Sequence, residues 1–247
     1  MIEIRACTGI EEYQRCVELQ REVWGFADVE LVPKDIIAAI AMAGGQVFGA
    51  FNGKEMIGFL LGFPGYQDGR AHLHSHMLAV LPAYRDQGIG RQLKLKQREE
   101  ALARGFELVE WTFDPLELKN AYFNIERLGA IMRRYVRNKY GRTTSPLHGG
   151  LPTDRLVAEW WLRSARVESV ARGKPAGHAA SPERIRVPAN ISDLKRTAPD
   201  SAERIQSDVR QQFEERFGQG YAVTGFELNA EAGTYLLEPY VRRLSED

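Results

Sequence analysis

The sequence predicts an α/β fold in which a mixed β-sheet is flanked by helices. Two observations support this prediction. Some segments have alternating or continuous apolar residues, as strands do, and others have apolar residues at every third or fourth position, as helices do. Glycine and proline separate these segments. Along residues 1–164 the predicted order is β-α-α-β-β-β-α-β-α-β-β, and such interspersed strands and helices imply a mixed sheet.

Each element follows from its local pattern. Strands are predicted at 2–6, 47–51, 56–63, 71–80, 106–113, 130–138 and 156–162. Helices are predicted at 9–24, 34–43, 91–105 and 116–128. Pro33 stands at the start of the second helix, where its missing N–H is not needed. Asn52-Gly53 is a hairpin-turn signal between the second and third strands.

The C-terminal third of the chain differs in pattern from the part before it. Over 165–199 arginine, proline, glycine and serine dominate and periodicity is lost, which predicts a long irregular loop. A helix and two strands are predicted after it, at 201–217, 221–228 and 234–240. We therefore expect a domain at 1–164 and an α+β extension at 165–247 that packs on it.

The composition argues against several classes of partner. The chain has 33 basic and 33 acidic residues in 247, so no net positive charge points to nucleic acid or to an anionic membrane. No apolar run approaches the roughly 18 residues of a membrane span. The N-terminus has charges where a signal peptide has its apolar core, and two cysteines do not make a disulfide framework. We expect a cytoplasmic protein without nucleic-acid or membrane partners.

The most informative segment is a glycine turn between a strand and a helix. An apolar run at 77–81 stops at Pro82 and is followed by RDQGIG at 85–90 and then by the long predicted helix. Backbone N–H groups at a helix start have no intrahelical partner, and the helix dipole adds positive charge, so this turn favours a phosphate. Its glycines let the backbone approach an anion closely. The spacing matches neither the dinucleotide fingerprint nor a P-loop.

Together with V-x-P-x-Y-R at 80–85, this turn resembles the acyl-CoA pyrophosphate loop of the GCN5-related N-acetyltransferase (GNAT) superfamily. The resemblance covers roughly residues 1–164 and implies a GNAT-like, mostly antiparallel central sheet flanked by helices. It also implies acetyl-CoA or another acyl-CoA, such as succinyl-CoA, as the cofactor. The pyrophosphate is then expected on the backbone amides of the turn, those of Gln87, Gly88, Ile89, Gly90 and Arg91.

In this family the strand before the turn is splayed from its neighbour, so that its backbone pairs with pantetheine and with the thioester oxygen. The matching residues here are Leu78, Ala79 and Val80. Cations on the turn and the helix either add charge around the phosphates or are simply solvated. They are Arg85, Arg91 and Lys94.

Residues 120–130, NAYFNIERLGA, resemble the family's second motif, in which a tyrosine reprotonates the CoA thiolate. Ile125 occupies the position of that tyrosine, so the usual acid is absent. Tyr122, one turn away, is a candidate substitute, with a packing tyrosine as the alternative. A thiol with an ordinary pKa of about 8.5 can also leave as the thiolate without an acid. Asn120 and Asn124 are expected to contact pantetheine or the leaving sulfur.

An amine acceptor arrives protonated, so the reaction needs a general base. His72, His74 and His76 alternate on one strand and are expected to share one face. His76, nearest the splay, is the preferred base, with ordinary strand packing as the alternative. A zinc site fits poorly, because the outer two residues would be about 13 Å apart, so no metal is expected. Asp114, at the end of the neighbouring strand, is a second candidate for the base or an amine clamp, or else a turn-forming aspartate.

The three segments HSHMLAVLPAYRDQGIGRQLKLKQRE, WTFDPLELKNAYFN and GLPTDRLVAEWW together resemble a little-characterised GNAT subgroup, of which some members are linked to N-acylation of amino acids. The predicted function is therefore transfer of an acetyl or succinyl group from acyl-CoA to the primary amine of a small molecule, such as an amino acid. The amine attacks the thioester directly in a ternary complex. A catalytically silent CoA-binding sensor and a protein N-acetyltransferase are the alternatives. The sequence leaves open whether the chain forms a homodimer.

Overall fold

The computed structural model describes residues 1–67, 69–141, 149–177 and 181–240. The chain forms two compact units, of which the first ends at Glu110 and the second begins at Trp111. The predicted mixed α/β architecture is confirmed, since both units have helices packed on a sheet whose strands are mostly antiparallel. No helix within these described ranges is long and apolar enough to cross a membrane.

The sheet of the first unit has its strands in chain order, from β1 to β5. Their bounds are Ile2–Ala6, Gln46–Asn52, Glu55–Gln67, Arg70–Val80 and Leu108–Phe113, and β5 continues into the second unit. Neighbours are antiparallel except for β4 and β5, which are parallel. The predicted hairpin turn joins β2 to β3, and Gly53 in it has a φ of 62°.

Helices cover both faces of this sheet. α1 (Ile10–Trp24) and α2 (Lys34–Met42) pack on the face that includes Phe59. α3 (Ile89–Ala103) packs on the opposite face, which includes the next residue of β3, Leu60. Both side chains are fully buried, and each such burial stabilises the fold by about 1.5–3 kcal/mol.

β4 contains a β-bulge at His76. Ser75 pairs with Gly62 and Met77 pairs with Leu61, so one residue of β4 has no counterpart on β3. Ser75 contacts α3, whereas Met77, two residues later, packs with the cluster formed by α1 and α2. A bulge therefore switches the faces of β4 at this point, and it bends the strand.

The second unit has a sheet in the strand order β7-β6-β9-β10-β8, all antiparallel. The bounds are Ile131–Val136 for β6, Arg155–Trp161 for β7, Glu183–Pro188 for β8, Tyr221–Leu228 for β9 and Ala232–Pro239 for β10. Its helices are α4 to α7, at Leu118–Tyr122, Ala165–Ala171, Ile191–Thr197 and Pro199–Gly218, and a π-helical turn at Phe123–Arg127 follows α4. Phe213 of α7 packs on Tyr135 and Tyr235, with ring centroids 5.9 Å and 5.0 Å apart.

Residues 165–199 differ from the predicted irregular loop, because they contain α5, β8 and α6. These elements are six or seven residues long, too short for a sequence period to be recognised. β8 is held by its pairing with β10, which is distant in the chain. The predicted domain boundary at 164/165 stays a prediction, although β6 and β9 pair across it within the second unit.

Candidate functional site

The glycine turn lies at the start of α3 in the first unit. Gly88 precedes the helix with a φ of 77°, and Asp86 is also left-handed with a φ of 60°. Glycine adopts this conformation freely, and aspartate adopts it more readily than most residues. Within the described residues, the backbone N–H groups of Gln87, Gly88, Ile89 and Gly90 donate no hydrogen bond. The turn therefore presents four unused donors at a helix N-terminus, an arrangement that binds phosphate.

Two exposed side chains of the turn bond back to the preceding residues. The Nε of Arg85 donates to the carbonyl of Val80 at 3.3 Å, and the Nε2 of Gln87 donates to the carbonyl of Ala83 at 3.2 Å. Because only Nε of Arg85 is used, its two terminal nitrogens remain able to bind an anion. Arg91, in the first turn of α3, is half-buried.

Lys94 fits neither of the two alternatives stated for it, a charge beside the phosphates or a solvated cation. Its side chain is buried, and its Nζ donates to Ser75 Oγ at 3.1 Å and to Gln97 Oε1 at 2.7 Å. Burial lowers the pKa of Lys94 well below its usual value, because a low-dielectric interior disfavours the charged form. The residue faces β4 from α3, so its amino group lies against the sheet.

The stretch Leu78, Ala79 and Val80 pairs with β3 on one edge. On the other edge, the parallel pairing of β4 with β5 in the first unit consists of Leu73–Val109 and His74–Glu110. Ala79 is buried and the other two residues are half-buried. What this stretch offers a ligand is therefore mainly backbone, as when an extended chain adds to a strand edge.

Two of the three histidines lie together beside the bulge. The rings of His74 and His76 have centroids 6.0 Å apart, and Phe63 packs on them at 5.1 Å and 5.7 Å. His76 is exposed, whereas His72 is buried with its Nε2 3.9 Å from Glu110 Oε2. The described residues contain no group of three His, Cys, Asp or Glu side chains that could hold a metal ion.

Asp114 lies at the end of β5 in the second unit and is already engaged. Its Oδ2 accepts from Lys195 Nζ at 3.1 Å, and its Oδ1 accepts from the backbone N–H of Leu116 at 2.8 Å. Lys195 is buried and also contacts Glu117 at 3.0 Å. These contacts favour the turn-forming alternative for Asp114, while its role as a base stays a prediction.

The residues predicted from the second motif differ in exposure. Asn120 and Tyr122 are exposed, whereas Ile125 is fully buried. Asn124 is buried in the π-helical turn, where its Oδ1 accepts from Trp111 Nε1 at 3.2 Å and its Nδ2 has no partner among the described residues. Ile125, as an apolar core residue, cannot act as an acid.

Sequence reasoning missed the ion partner of Asp114 and the buried state of Lys94. Lys195 lies 81 residues from Asp114 in the chain, and no local pattern links the two. For Lys94 a signal existed, since it is one turn from Gln97 and next to Leu93, and all three are buried on α3. That position on the helix indicates a residue turned toward the sheet.

The family comparison concerns mainly the first half of the chain. A family model described as acetyltransferase (GNAT) family matches residues 11–129. No curated protein matches the sequence.

Several solved structures have a similar fold. An N-acetyltransferase from Staphylococcus aureus Mu50 is 18% identical, with 66% of this chain and 99% of that chain covered and a TM-score of 0.52. NAA60 from Arabidopsis thaliana, in complex with a bisubstrate analogue, is 13% identical, with 65% and 98% covered and a TM-score of 0.54. The ribosomal-protein-S18-alanine N-acetyltransferase from Escherichia coli is 17% identical, with 73% and 97% covered and a TM-score of 0.51. At these identities the likeness concerns the fold.

Proposed function

Since this chain belongs to the GNAT acetyltransferase superfamily, whose members are CoA-dependent N-acyltransferases, we propose that it acylates the primary amine of a small molecule. The donor is acetyl-CoA or succinyl-CoA, and an amino acid is the proposed acceptor. Binding of the acyl-CoA is supported by the glycine turn. Four of its backbone N–H groups donate a hydrogen bond to no described residue. Such a turn suits the pyrophosphate of CoA.

We assign the pantetheine arm to the backbone of Leu78, Ala79 and Val80. This stretch follows the bulge, and its pairing with β5 in the first unit stops at His74. A backbone N–H from it would donate to the thioester oxygen as negative charge develops there. One such donor typically contributes about 3 kcal/mol of transition-state stabilisation.

We assign the general base to His76. It is exposed at the bulge of β4, and histidine is the side chain that most often exchanges protons near neutral pH. The freed amine attacks the thioester carbonyl, the C–S bond breaks, CoA leaves as the thiolate, and the nitrogen releases its second proton to solvent as the amide forms. Asp114 is the weaker candidate because both its carboxylate oxygens already accept hydrogen bonds. Tyr122 is exposed and is proposed to return a proton to the thiolate.

The donor half is tested with a matched pair of glycine variants. Gly88 and Gly53 are both left-handed, and a Cβ added at either meets nothing within 4 Å. Gly88→Trp and Gly53→Trp therefore impose similar backbone strain in the same unit, but only the first places an indole ring at the turn. We expect Gly88→Trp to weaken CoA binding in calorimetry at least tenfold and Gly53→Trp to leave it unchanged. Equal CoA affinities for the two variants would refute the assignment of the glycine turn as the pyrophosphate site.

The acceptor half is tested by following thiol release from acetyl-CoA and succinyl-CoA with a panel of amines. Turnover with free amino acids is the expected result. CoA binding without turnover on any amine would favour the sensor. The E. coli relative is by its name an acetyltransferase of a ribosomal protein, so a protein acceptor is the second candidate, and a panel of peptides with free N-termini distinguishes it.

A further inference from the structure

The second unit contains a cavity of about 250 Å³ at one end of its sheet. It lies where β6 begins and β7 ends, next to the start of α5 and to β9 and β10. Ile131, Trp161, Thr224 and Tyr240 supply much of its wall, and the first three are buried. The volume suits a compact metabolite, since pockets for drug-sized ligands are about 300–1,000 Å³.

One cation in this wall is held in place by backbone carbonyls. The Arg166 guanidinium donates from Nε to Gly129 at 3.2 Å, from Nη1 to Gly177 at 3.2 Å and from Nη2 to Ile125 at 3.5 Å. A guanidinium has five N–H donors, so one remains on each terminal nitrogen. Burial lowers the pKa of Arg166, while the carboxylates of Glu126 and Glu238 act in the opposite direction. The group is oriented and retains two donors.

One anion in the wall has no partner among the described residues. The carboxylate of Glu238 is half-buried and makes no hydrogen bond or ion pair with any of them. It attracts Arg166 electrostatically, yet no ion pair within 4.0 Å joins the two. Two opposite charges therefore line one cavity without touching, and burying either alone costs free energy.

The other carboxylate of the cavity is already neutralised. Glu159 is buried, and its Oε2 accepts from Arg133 Nη2 at 2.6 Å and from Trp161 Nε1 at 3.2 Å. Arg134 lies 3.5 Å from its other oxygen. Arg133 also stacks on the ring of Tyr240 at 5.0 Å. Glu159 is therefore held by its neighbours. The charged groups of the cavity that can still bind a ligand are the guanidinium of Arg166 and the carboxylate of Glu238.

We propose that this cavity binds a free α-amino acid with an apolar side chain. The ligand's carboxylate accepts the two remaining N–H groups of Arg166, its ammonium group donates to Glu238, and its side chain packs on Trp161 and Ile131. A molecule with only one of these charges leaves the other protein charge without a partner. This binding is independent of acyl transfer, because it requires no CoA.

The test is calorimetry on the full-length protein without CoA, with L-leucine and L-phenylalanine as probes. L-Leucinamide lacks the carboxylate and 4-methylpentanoate lacks the ammonium group, and we expect each to bind at least tenfold more weakly than leucine. Glu238→Gln should weaken leucine binding at least tenfold, because a charge-assisted bond is lost. Glu231→Gln is the matched control, since that side chain is 84% exposed, and it should bind leucine as the wild type does.

Three results would overturn the proposal. These are no binding of either probe to the wild type, equal binding of leucine and its two analogues, or unchanged leucine affinity in a Glu238→Gln variant. Circular dichroism and thermal unfolding of Glu238→Gln establish that the variant is folded. None of these three results bears on acyl transfer, which is measured separately with acyl-CoA.

Discussion

At the scale of single residues, the bulge places His76 in solvent beside His74. Their rings are 6.0 Å apart on one face of β4, although a bulge separates His76 from the register of β3. The two differ in exposure, His76 being exposed and His74 half-buried. A base must reach an amine that enters from solvent, which favours His76.

We expect His76→Gln to lower kcat about 100-fold while the affinity for CoA stays unchanged, because general-base catalysis typically contributes at least that factor. His74→Gln is the matched control, as it removes the neighbouring imidazole from the same face. The measurement is the steady-state rate with a saturating amine between pH 6 and 9. If His74→Gln shows the loss and His76→Gln does not, the assignment belongs to His74.

Lys195 is a second residue-scale feature, because it neutralises Asp114 in the interior. Burial by itself disfavours charge on Lys195, but Asp114 and Glu117 outweigh it and raise the pKa of the lysine. We expect Lys195→Met to lower the free energy of unfolding by about 3–5 kcal/mol, since Asp114 loses its buried ion pair with Lys195. Urea denaturation measures this change.

The control for that variant is Lys34→Met. Lys34 forms an exposed pair with Asp35 at 3.7 Å, and exposed pairs contribute only about 0–1 kcal/mol. The raised pKa of Lys195 also determines how stability depends on pH. The stabilisation from the Lys195–Asp114 pair is present below the ordinary lysine pKa and is lost as the pH rises through the raised value. Equal destabilisation by the two substitutions would contradict the assignment.

At the scale of elements, α3 has two distinct tasks. Its N-terminus presents the unused amides of the turn, and its inner face carries Lys94 against Ser75 of β4. Gln97 on the next turn accepts from Lys94, and its backbone carbonyl accepts from Gln46 Nε2 at 3.3 Å. Ser75 lies one residue before the bulge at His76. α3 and β4 are therefore joined at the bulge by hydrogen bonds as well as by apolar packing.

The lowered pKa of Lys94 predicts a pH dependence of stability. Between that lowered value and about 10.4 the unfolded chain binds a proton that the folded chain does not. The contribution of Lys94 is therefore fully present above the unfolded pKa and is lost as the pH falls, by up to about 1.4 kcal/mol per pH unit. We expect Lys94→Met to remove this slope in urea denaturation between pH 7 and 9.5.

Lys96→Met is the control for that slope, because Lys96 lies on the same helix with its side chain 37% exposed and paired to Glu99 at 3.0 Å. It should leave the pH dependence of the unfolding free energy as in the wild type. Parallel curves for the wild type and Lys94→Met would mean that Lys94 keeps its proton in the folded protein.

At the scale of the whole molecule, the order of elements over 1–164 was predicted well. Long segments with a clear period were found within a few residues of their observed bounds, for example β3 and β4. The exceptions were short elements between 165 and 199, such as β8, whose partner β10 follows more than forty residues later in the chain. Periodicity needs length, and pairing over such a separation leaves no local pattern.

In the candidate site, too, the features that depend on local sequence were predicted and those that depend on long-range contacts were not. The turn at 85–90 was predicted because its chemistry resides in consecutive residues: two glycines, a helix start and backbone amides. The surroundings of the candidate acceptor-side residue Asp114 were not predicted, because they depend on distant partners. Asp114 meets Lys195 only in the folded chain.

Residue types and their spacing are enough to predict the α/β architecture, the glycine turn and the family resemblance, since these depend on short stretches of chain. The folded structure was needed to show that Lys94 is buried, that Asp114 pairs with Lys195, and that Arg166 and Glu238 line one cavity. Apolar periodicity is a local pattern, whereas the partners of a charged side chain are set by the tertiary fold. Their roles follow from burial and distance, which no stretch of sequence encodes locally.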